Sequence, residues 1–452
     1  MPESAKTNAR LNSWKEIAAH LGRDVRTLMR WEKEKQLPVH RVPGGQRKAV
    51  FAYREELDAW LHDESLPNSE VQDSDKASAG TETKRIPRWL TSPAVFGALV
   101  ATLFAALYFR YSFDTATRQV PVRIRFTADA LEVFDGRDRL MWNYHFPEPL
   151  ELSYMSNMGD LAGFTRIADL NGDGGREVLV VVPLLSEADS STAPLVELDC
   201  FSSRGKLLWS YVPDETFQFG TSRHLTGPWN ILDVLVASEG KRTFLWVAAV
   251  HREWGNSFVA RLDAQTGRGA VRFVNTGVIY KLNKLREGST TYLLAAGFNN
   301  EYGAGSLAIM DERIPFAASP QTPGTRHECK TCPKGSPDYY VVFPRSEINE
   351  VKEVWEDSLR SVELSDGQIE VHKFPLNDEP AIYTVYVLQK QPTVHLVSLQ
   401  FSSYYDILHH DLEMAGKLDH SIASCPERRS PKPVKLWTPS AGWSEVPIPR
   451  VE

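Results

Sequence analysis

Two periodicities divide the chain. Near its start, Trp14, Ile17, Ala18 and Leu21 fall at i, i+3, i+4 and i+7, the stripe of an amphipathic helix. Ser13 ahead of it, with Glu16 three residues on, makes a capping-box pattern. Gly22 allows a tight turn, Asp24 caps a second helix, and Val25, Leu28 and Trp31 form its inward face. Residues 39–42 and 47–53 then read as two strands around Pro43-Gly44-Gly45-Gln46, and Leu57, Trp60 and Leu61 mark a short helix over 55–61. Beyond residue 115 helical spacing is scarce. Short β-rich runs such as REVLVVVP, TFLWVAAVH, TYLLAAGF and TVHLVSLQF alternate with Gly, Asp and Asn turns. Many evenly spaced short strands predict an all-β sandwich, barrel or propeller.

Between the two patterns lies WLTSPAVFGALVATLFAALYF, residues 89–109, which holds no charged residue over 21 positions. As a helix it is about 30 Å long, the thickness of the bilayer hydrocarbon core. Trp89 at one end and Tyr108 and Tyr111 at the other suit interface anchors. Gly97, Ala101 and Ala105 at four-residue spacing would let two spans pack into a homodimer, although small residues are common in any membrane helix.

Composition excludes several classes. With 42% hydrophobic and 24% charged residues and four cysteines among 452, the chain is neither wholly disordered, nor collagen-like, nor a polytopic membrane protein, nor a disulfide-built scaffold. The net charge of −7 conceals an asymmetry. Residues 1–54 hold 12 Lys and Arg against 5 Asp and Glu, whereas 55–83 hold one Lys against nine acidic groups. A basic block ahead of an acidic bulk marks a nucleic-acid-binding arm. Arg23, Arg26, Thr27 and Arg30 lie on the outer side of the second helix, and Arg41, Arg47 and Lys48 flank the strand turn. Arginine grips guanine edges or phosphates bidentately, and threonine reaches phosphate or a thymine methyl.

The pattern SWKEIAAHLGRDVRTLMRWE, LPVHR, a Gly-turn hairpin and REELDAWL resembles the winged helix-turn-helix of the MerR/excisionase group over residues 11–62. That resemblance implies a recognition helix in the major groove and a wing on the flanking backbone. Unlike typical MerR regulators, no long dimerising coiled coil follows Leu61.

In the β-rich region three segments repeat: LEVFDGRDRLMWNYHF (131–146), VELDCFSSRGKLLWSYVP (196–213) and FVARLDAQTGRGAVRFVN (258–275). Each reads strand, turn, strand, with Trp142, Trp209 and Phe273 at matching positions, and together they resemble the blade hairpins of quinoprotein-like propellers. The run Asp169-Leu170-Asn171-Gly172-Asp173-Gly174-Gly175-Arg176-Glu177 places side-chain oxygens at positions 1, 3, 5 and 9 and a carbonyl at 7. Such oxygens suit a hard cation, but position 12 is Val180, which disfavours an EF-hand. The longer segment GFTRIADLNGDGGREVLV resembles an FG-GAP (VCBS or integrin-like) repeat. That resemblance implies structural Ca²⁺ on Asp169, Asn171, Asp173, the Gly175 carbonyl and Glu177.

His327, Cys329 and Cys332 share a Pro- and Gly-rich loop. Cys329 and Cys332 suit a disulfide, either to each other or to Cys200 or Cys425, or a redox pair; a zinc site with His327 lacks an obvious fourth ligand. His409 and His410 stand side by side, as surface or packed histidines commonly do. No G-x-S-x-G, H-E-x-x-H, P-loop or Rossmann fingerprint occurs, so no enzyme is expected.

The expected fold class is multidomain: a small α+β winged helix-turn-helix (1–62), an acidic linker with a basic juxtamembrane cluster (63–88), one transmembrane helix (89–109) and a large all-β domain, a β-propeller (116–452). The expected function is a one-component transcriptional regulator in a bacterial inner membrane. Its cytoplasmic head binds double-stranded DNA, and its extracytoplasmic propeller senses a ligand or partner. Rival readings are a membrane-tethered quinoprotein-like or lyase propeller, and an interaction platform whose head binds protein.

Overall fold

The computed structural model describes parts of the stretch 10–60, and residues 120–451 apart from 153–163, 186–194, 333, 377–378 and 392. It divides into two units, residues 1–92 and 93–452.

In the first unit the described elements are β1 (Arg10–Leu11), α1 (Trp14–Leu21), β2 (His40–Arg41) and β3 (Val50–Tyr53). β3 is the middle of an antiparallel sheet of order β1-β3-β2. Ile17 and Ala18 of α1 are buried with Leu11, Leu28, Leu37, Ala52 and Leu57, and Trp14, Leu21, Trp31, Val39 and Trp60 pack around them. His40 of β2 is stacked on Phe51 of β3, with Nε2 2.6 Å from Glu56 Oε2.

The second unit is a succession of antiparallel sheets. Sheet I holds β4 (Pro121–Phe126), β5 (Ala130–Asp135) and β6 (Leu140–His145). Sheet II holds β7 (Thr165–Ala168), β8 (Glu177–Leu184), β9 (Leu195–Phe201) and β10 (Leu207–Tyr211). A hairpin of β11 (Thr216–Phe219) and β12 (Arg223–Thr226) follows. Sheet III holds β13 (Trp229–Glu239), β14 (Arg242–His251), β15 (Ser257–Asp263) and β16 (Gly269–Asn275). Sheet IV starts with β17 (Ile279–Glu287), β18 (Thr290–Asn299) and β19 (Ala304–Asp311); β20 (Ala317–Ala318) then adds to sheet III in parallel, and β21 (Tyr339–Val342) returns to sheet IV. After α2 (Glu347–Val351), sheet V holds β22 (Ser358–Ser365), β23 (Gln368–Phe374), β24 (Thr384–Gln389) and β25 (His395–Phe401). Then come α3 (Ser403–Met414), a 3-10 turn (Ile422–Ser424) and α4 (Pro426–Arg429). The chain closes with β26 (Val434–Thr438), which pairs with β21, and β27 (Gly442–Val446).

The period of two explains how the sheets stack. Side chains alternate between faces along a strand. Val178, Val180 and Val182 of β8 join a core with Leu131 and Val133 of sheet I. Leu179 and Val181 face the other way, toward Ile231, Leu245 and Val247 of sheet III. On β14, Phe244, Trp246 and Ala248 turn instead to Leu293, Ala295 and Met310 of sheet IV. Leu294 and Ala296 pack with Ile369, Val371 and Leu388 of sheet V. Middle strands covered on both faces must be continuously apolar, and VLVVV and LWVAAV are.

Two of the repeated aromatic positions lock neighbouring sheets together. Trp142 Nε1 donates to the Ser203 carbonyl at 3.1 Å, and its ring lies on Gly205, where a Cβ would come within 2.7 Å. Trp209 Nε1 donates to the Ala264 carbonyl at 3.1 Å, and its ring lies on Gly267, where a Cβ would come within 2.5 Å. Only glycine leaves room for this contact. Phe273 does not repeat it, being buried between sheets III and IV.

These elements correct the expected architecture. Among the described residues the α-helices have eight, five, twelve and four residues, and strands dominate the rest. A helix-turn-helix head followed by a membrane helix is not what they form. No helix among the described residues is long and apolar enough to cross a membrane. The stretch 89–109 lies outside the described residues. The inner-membrane placement, with cytoplasmic head and extracytoplasmic β domain, is corrected on the same finding. Among the described residues, the apolar runs are spent on strands covered from two sides. A β-propeller fits only loosely. The sheets differ in strand number, β20 joins one in parallel, and helices α3 and α4 separate sheet V from β26.

Candidate functional site

The loop between β7 and β8 folds around its own acidic side chains. Asp169 Oδ1 accepts from Gly172 N at 2.7 Å and Oδ2 from Gly174 N at 3.1 Å. Asn171 Oδ1 accepts from Asp173 N at 2.8 Å, and Asp173 Oδ1 accepts from Gly175 N at 2.6 Å. Glu177, the first residue of β8, is buried, and its Oε2 accepts from Leu170 N at 2.9 Å. Asn171 Nδ2 donates to Asp173 Oδ2 at 3.0 Å and to Glu177 Oε1 at 3.3 Å. The predicted ligands therefore converge on one turn. An ionised carboxylate has about four acceptor sites, so single backbone contacts leave capacity for a cation. The donor set is entirely hard oxygen and fits Ca²⁺ rather than a softer ion.

A second polar assembly lies where the first strands of sheets II, III and IV meet. Asp233 of β13 is buried, and its carboxylate accepts from Arg166 Nη2 of β7 at 3.0 Å and from Leu282 N of β17 at 2.8 Å. Lys281 Nζ comes within 3.5 Å. Further along, Tyr280 donates from its hydroxyl to Glu356 Oε1 at 2.6 Å, and Arg360 lies 5.0 Å over the Tyr280 ring. Burial, with the Glu356 carboxylate beside it, raises the Tyr280 hydroxyl above its ordinary range. These residues carry no sequence motif. They come from β7, β13, β17, β22 and the segment just before β22, and only the stacking brings them together.

Other expected site residues are placed as follows. Arg23, Arg26, Thr27, Arg30, Arg47 and Lys48 lie outside the described residues, and Arg41 is in β2. Cys329 and Cys332 are disulfide-bonded to each other, and Cys200 and Cys425 are free and buried. Two sulfurs bonded to each other cannot ligate zinc with His327. The bridged loop lies against β11, with Lys330 N donating to the Gln218 carbonyl at 2.7 Å. Burial and the neighbouring Arg326 lower the His327 pKa. His409 is buried whereas His410 is exposed.

No family model and no curated protein matches the chain. Among solved structures it is similar to a eukaryotic initiation factor, at 11% identity over 62% of each chain with a TM-score of 0.26. It is also similar to a GDP-Man-dependent mannosyltransferase from Leishmania mexicana, at 8% identity over 64% of this chain and 70% of that one with a TM-score of 0.24. A third is Drosophila Plexin A in complex with Semaphorin 1b, at 8% identity over 73% and 85% with a TM-score of 0.24. The chain spans under two thirds of the initiation factor's length. Overlaps this slight carry no argument about fold or function.

Proposed function

We propose that the chain is a two-unit regulator, in which the basic N-terminal unit binds double-stranded DNA and the stacked-sheet unit recognises a ligand or partner protein. The observation that carries this reading is the charge split set against the core. The buried residues described in the first unit are apolar, while its first 54 positions hold 12 Lys and Arg. Cations concentrated in such a block attract phosphate. In the second unit, Ca²⁺ would be held by Asp169, Asn171, Asp173, the Gly175 carbonyl and Glu177. There it would brace the turn into β8 without taking part in chemistry. Coupling requires that the recognised ligand bind two states of the regulator with different affinity.

The test is titration of the full-length protein onto duplex DNA at rising salt. Affinity should fall steeply as salt rises, and Arg26→Ala and Arg30→Ala should each weaken binding. Failure to bind at low salt overturns the reading. Exchanging residues 116–452 for an inert domain should abolish signal dependence while leaving DNA binding intact.

A further inference from the structure

Four side chains with metal-binding atoms meet in the helical layer that covers one end of sheet V. Glu347 opens α2, His409 lies in the second turn of α3, His420 follows α3, and Cys425 immediately precedes α4. The layer has its own apolar core of Ile348, Leu376, Ile382, Tyr405, Leu412 and Leu418. The Glu347 Oε2 atom is 3.8 Å from His409 Nε2, 3.1 Å from His420 Nε2 and 3.8 Å from Cys425 Sγ. One ligand atom from each residue lies within 4.8 Å of all the others.

The internal hydrogen bonding of the layer does not account for this cluster. The His409 side chain is 1% exposed, yet neither of its ring nitrogens has a hydrogen-bond partner. His420 Nε2 approaches Glu347 but is not aligned to share a hydrogen with it. Its other nitrogen, Nδ1, is 3.0 Å from Asp419 Oδ1. A carboxylate on one ring nitrogen, with the opposite nitrogen turned to a common point, is how metal-bound histidines are oriented. Buried polar atoms without partners need a reason, and an ion at that point supplies one.

The donor set selects the ion. Two imidazoles, a thiol and a carboxylate are borderline to soft ligands, whereas Ca²⁺ and Mg²⁺ take oxygen only. Zinc bonds of about 2.0–2.3 Å place the corners of a tetrahedron roughly 3.3–3.7 Å apart. The separations from Glu347 bracket that span, so small side-chain shifts complete the geometry. Four protein ligands leave no open position, which is the mark of a structural rather than a hydrolytic zinc.

We propose that Glu347, His409, His420 and Cys425 form a closed tetrahedral Zn²⁺ site that pins the connection 415–433 onto α2 and α3. Regular structure in that connection is limited to a three-residue 3-10 turn and the four-residue α4, so a cross-link there replaces packing it lacks. On binding, the Cys425 thiol passes its proton to water and the thiolate becomes the ligand.

The test uses the full-length protein with its disulfide intact. Metal analysis after dialysis against a weak chelator should find one zinc per chain, and Co²⁺ replacement should give a thiolate-to-cobalt charge-transfer band. Cys425→Ser should abolish the band, and His409→Ala should cost more affinity than the roughly 10–100-fold typical of an outer hydrogen-bonding partner. Asp419→Ala should fall within that range. A double variant of the oxygen loop, Asp169→Asn with Glu177→Gln, should keep its zinc. A wild-type protein that takes up no zinc at micromolar free metal overturns the proposal, whether or not the variants fold. So does a band that survives in Cys425→Ser.

Discussion

The loop at 169–177 and the helical-layer cluster at 347–425 could each hold a cation, and they are built in opposite ways. The loop is contiguous and offers only oxygen. Apart from Glu177 its ligand side chains are exposed, and its own backbone N–H groups make single contacts to its carboxylates. The cluster draws four donors from separate elements, mixes oxygen, nitrogen and sulfur, and keeps His409 and Cys425 buried. A hard-cation site can be written into one turn. The softer set is assembled by tertiary packing, which leaves both His409 ring nitrogens without a hydrogen bond.

If packing preassembles the cluster, the largest effects should come from its support. Lys373 and Asp357 are a fully buried ion pair at 3.1 Å, and Lys373 Nζ also donates to the Pro344 carbonyl at 2.6 Å. Burial would lower the lysine pKa, but Asp357 beside it holds it above its ordinary range. Asp357 Oδ2 accepts from Ser346 N at 2.6 Å, immediately before Glu347 opens α2. Removing one partner strands the other charge in the interior. Lys373→Ala should therefore cost about 3–5 kcal/mol in denaturant unfolding and weaken zinc retention. A cost under about 1 kcal/mol would show that the layer is not rigid enough to hold the ligands in place.

The sheet behind the loop makes the next test. Asp199 of β9 is buried, and burial lifts its carboxyl to about 7, against the opposing effect of the Ser210 hydroxyl that donates to it at 2.5 Å. The unfolded carboxyl ionises near pH 4, so between about 4 and 7 the folded state binds the extra proton. Stability from this group is therefore full below about pH 4, falls as pH rises to about 7 and is level above. The total change is at most about 4 kcal/mol, from roughly 1.4 kcal/mol per pH unit. Asp199→Asn should flatten that limb of a pH–stability curve. An unchanged slope would remove Asp199 as its source.

The same contrast shows what could be read from the sequence. The runs VLVVV and LWVAAV were legible as strands, but that they are covered on both faces shows only in the stacking of the sheets. The repeat of Trp142 and Trp209 pointed to a recurring unit, and the structure shows its cause in the glycine turn beneath each ring. The loop at 169–177 was legible because all its donors share one backbone turn. Asp233, Arg166 and Lys281, and likewise Glu347, His409, His420 and Cys425, gave no signal, since no two ligands of either set are held together by local geometry. His409 beside His410 looked ordinary; burial of one and exposure of the other separates them. The expected membrane helix came from apolar composition over 89–109, a property that does not itself determine where a segment sits.

The smallest effect is expected in the loop itself. Asp169→Asn keeps one side-chain oxygen to accept from Gly172 N but loses the second acceptor that Gly174 N uses. Both groups are exposed, so water can replace the lost contact. The cost without Ca²⁺ should be under about 1 kcal/mol, at the low end for a hydrogen bond with a solvated alternative. With Ca²⁺ the substitution also removes a charged ligand, so any rise in wild-type Tm on adding Ca²⁺ should shrink in the variant while zinc content stays unchanged. A Ca²⁺-dependent rise of equal size in both proteins would place the calcium site elsewhere. A fall in zinc content would mean that the two regions do not bind their ions separately.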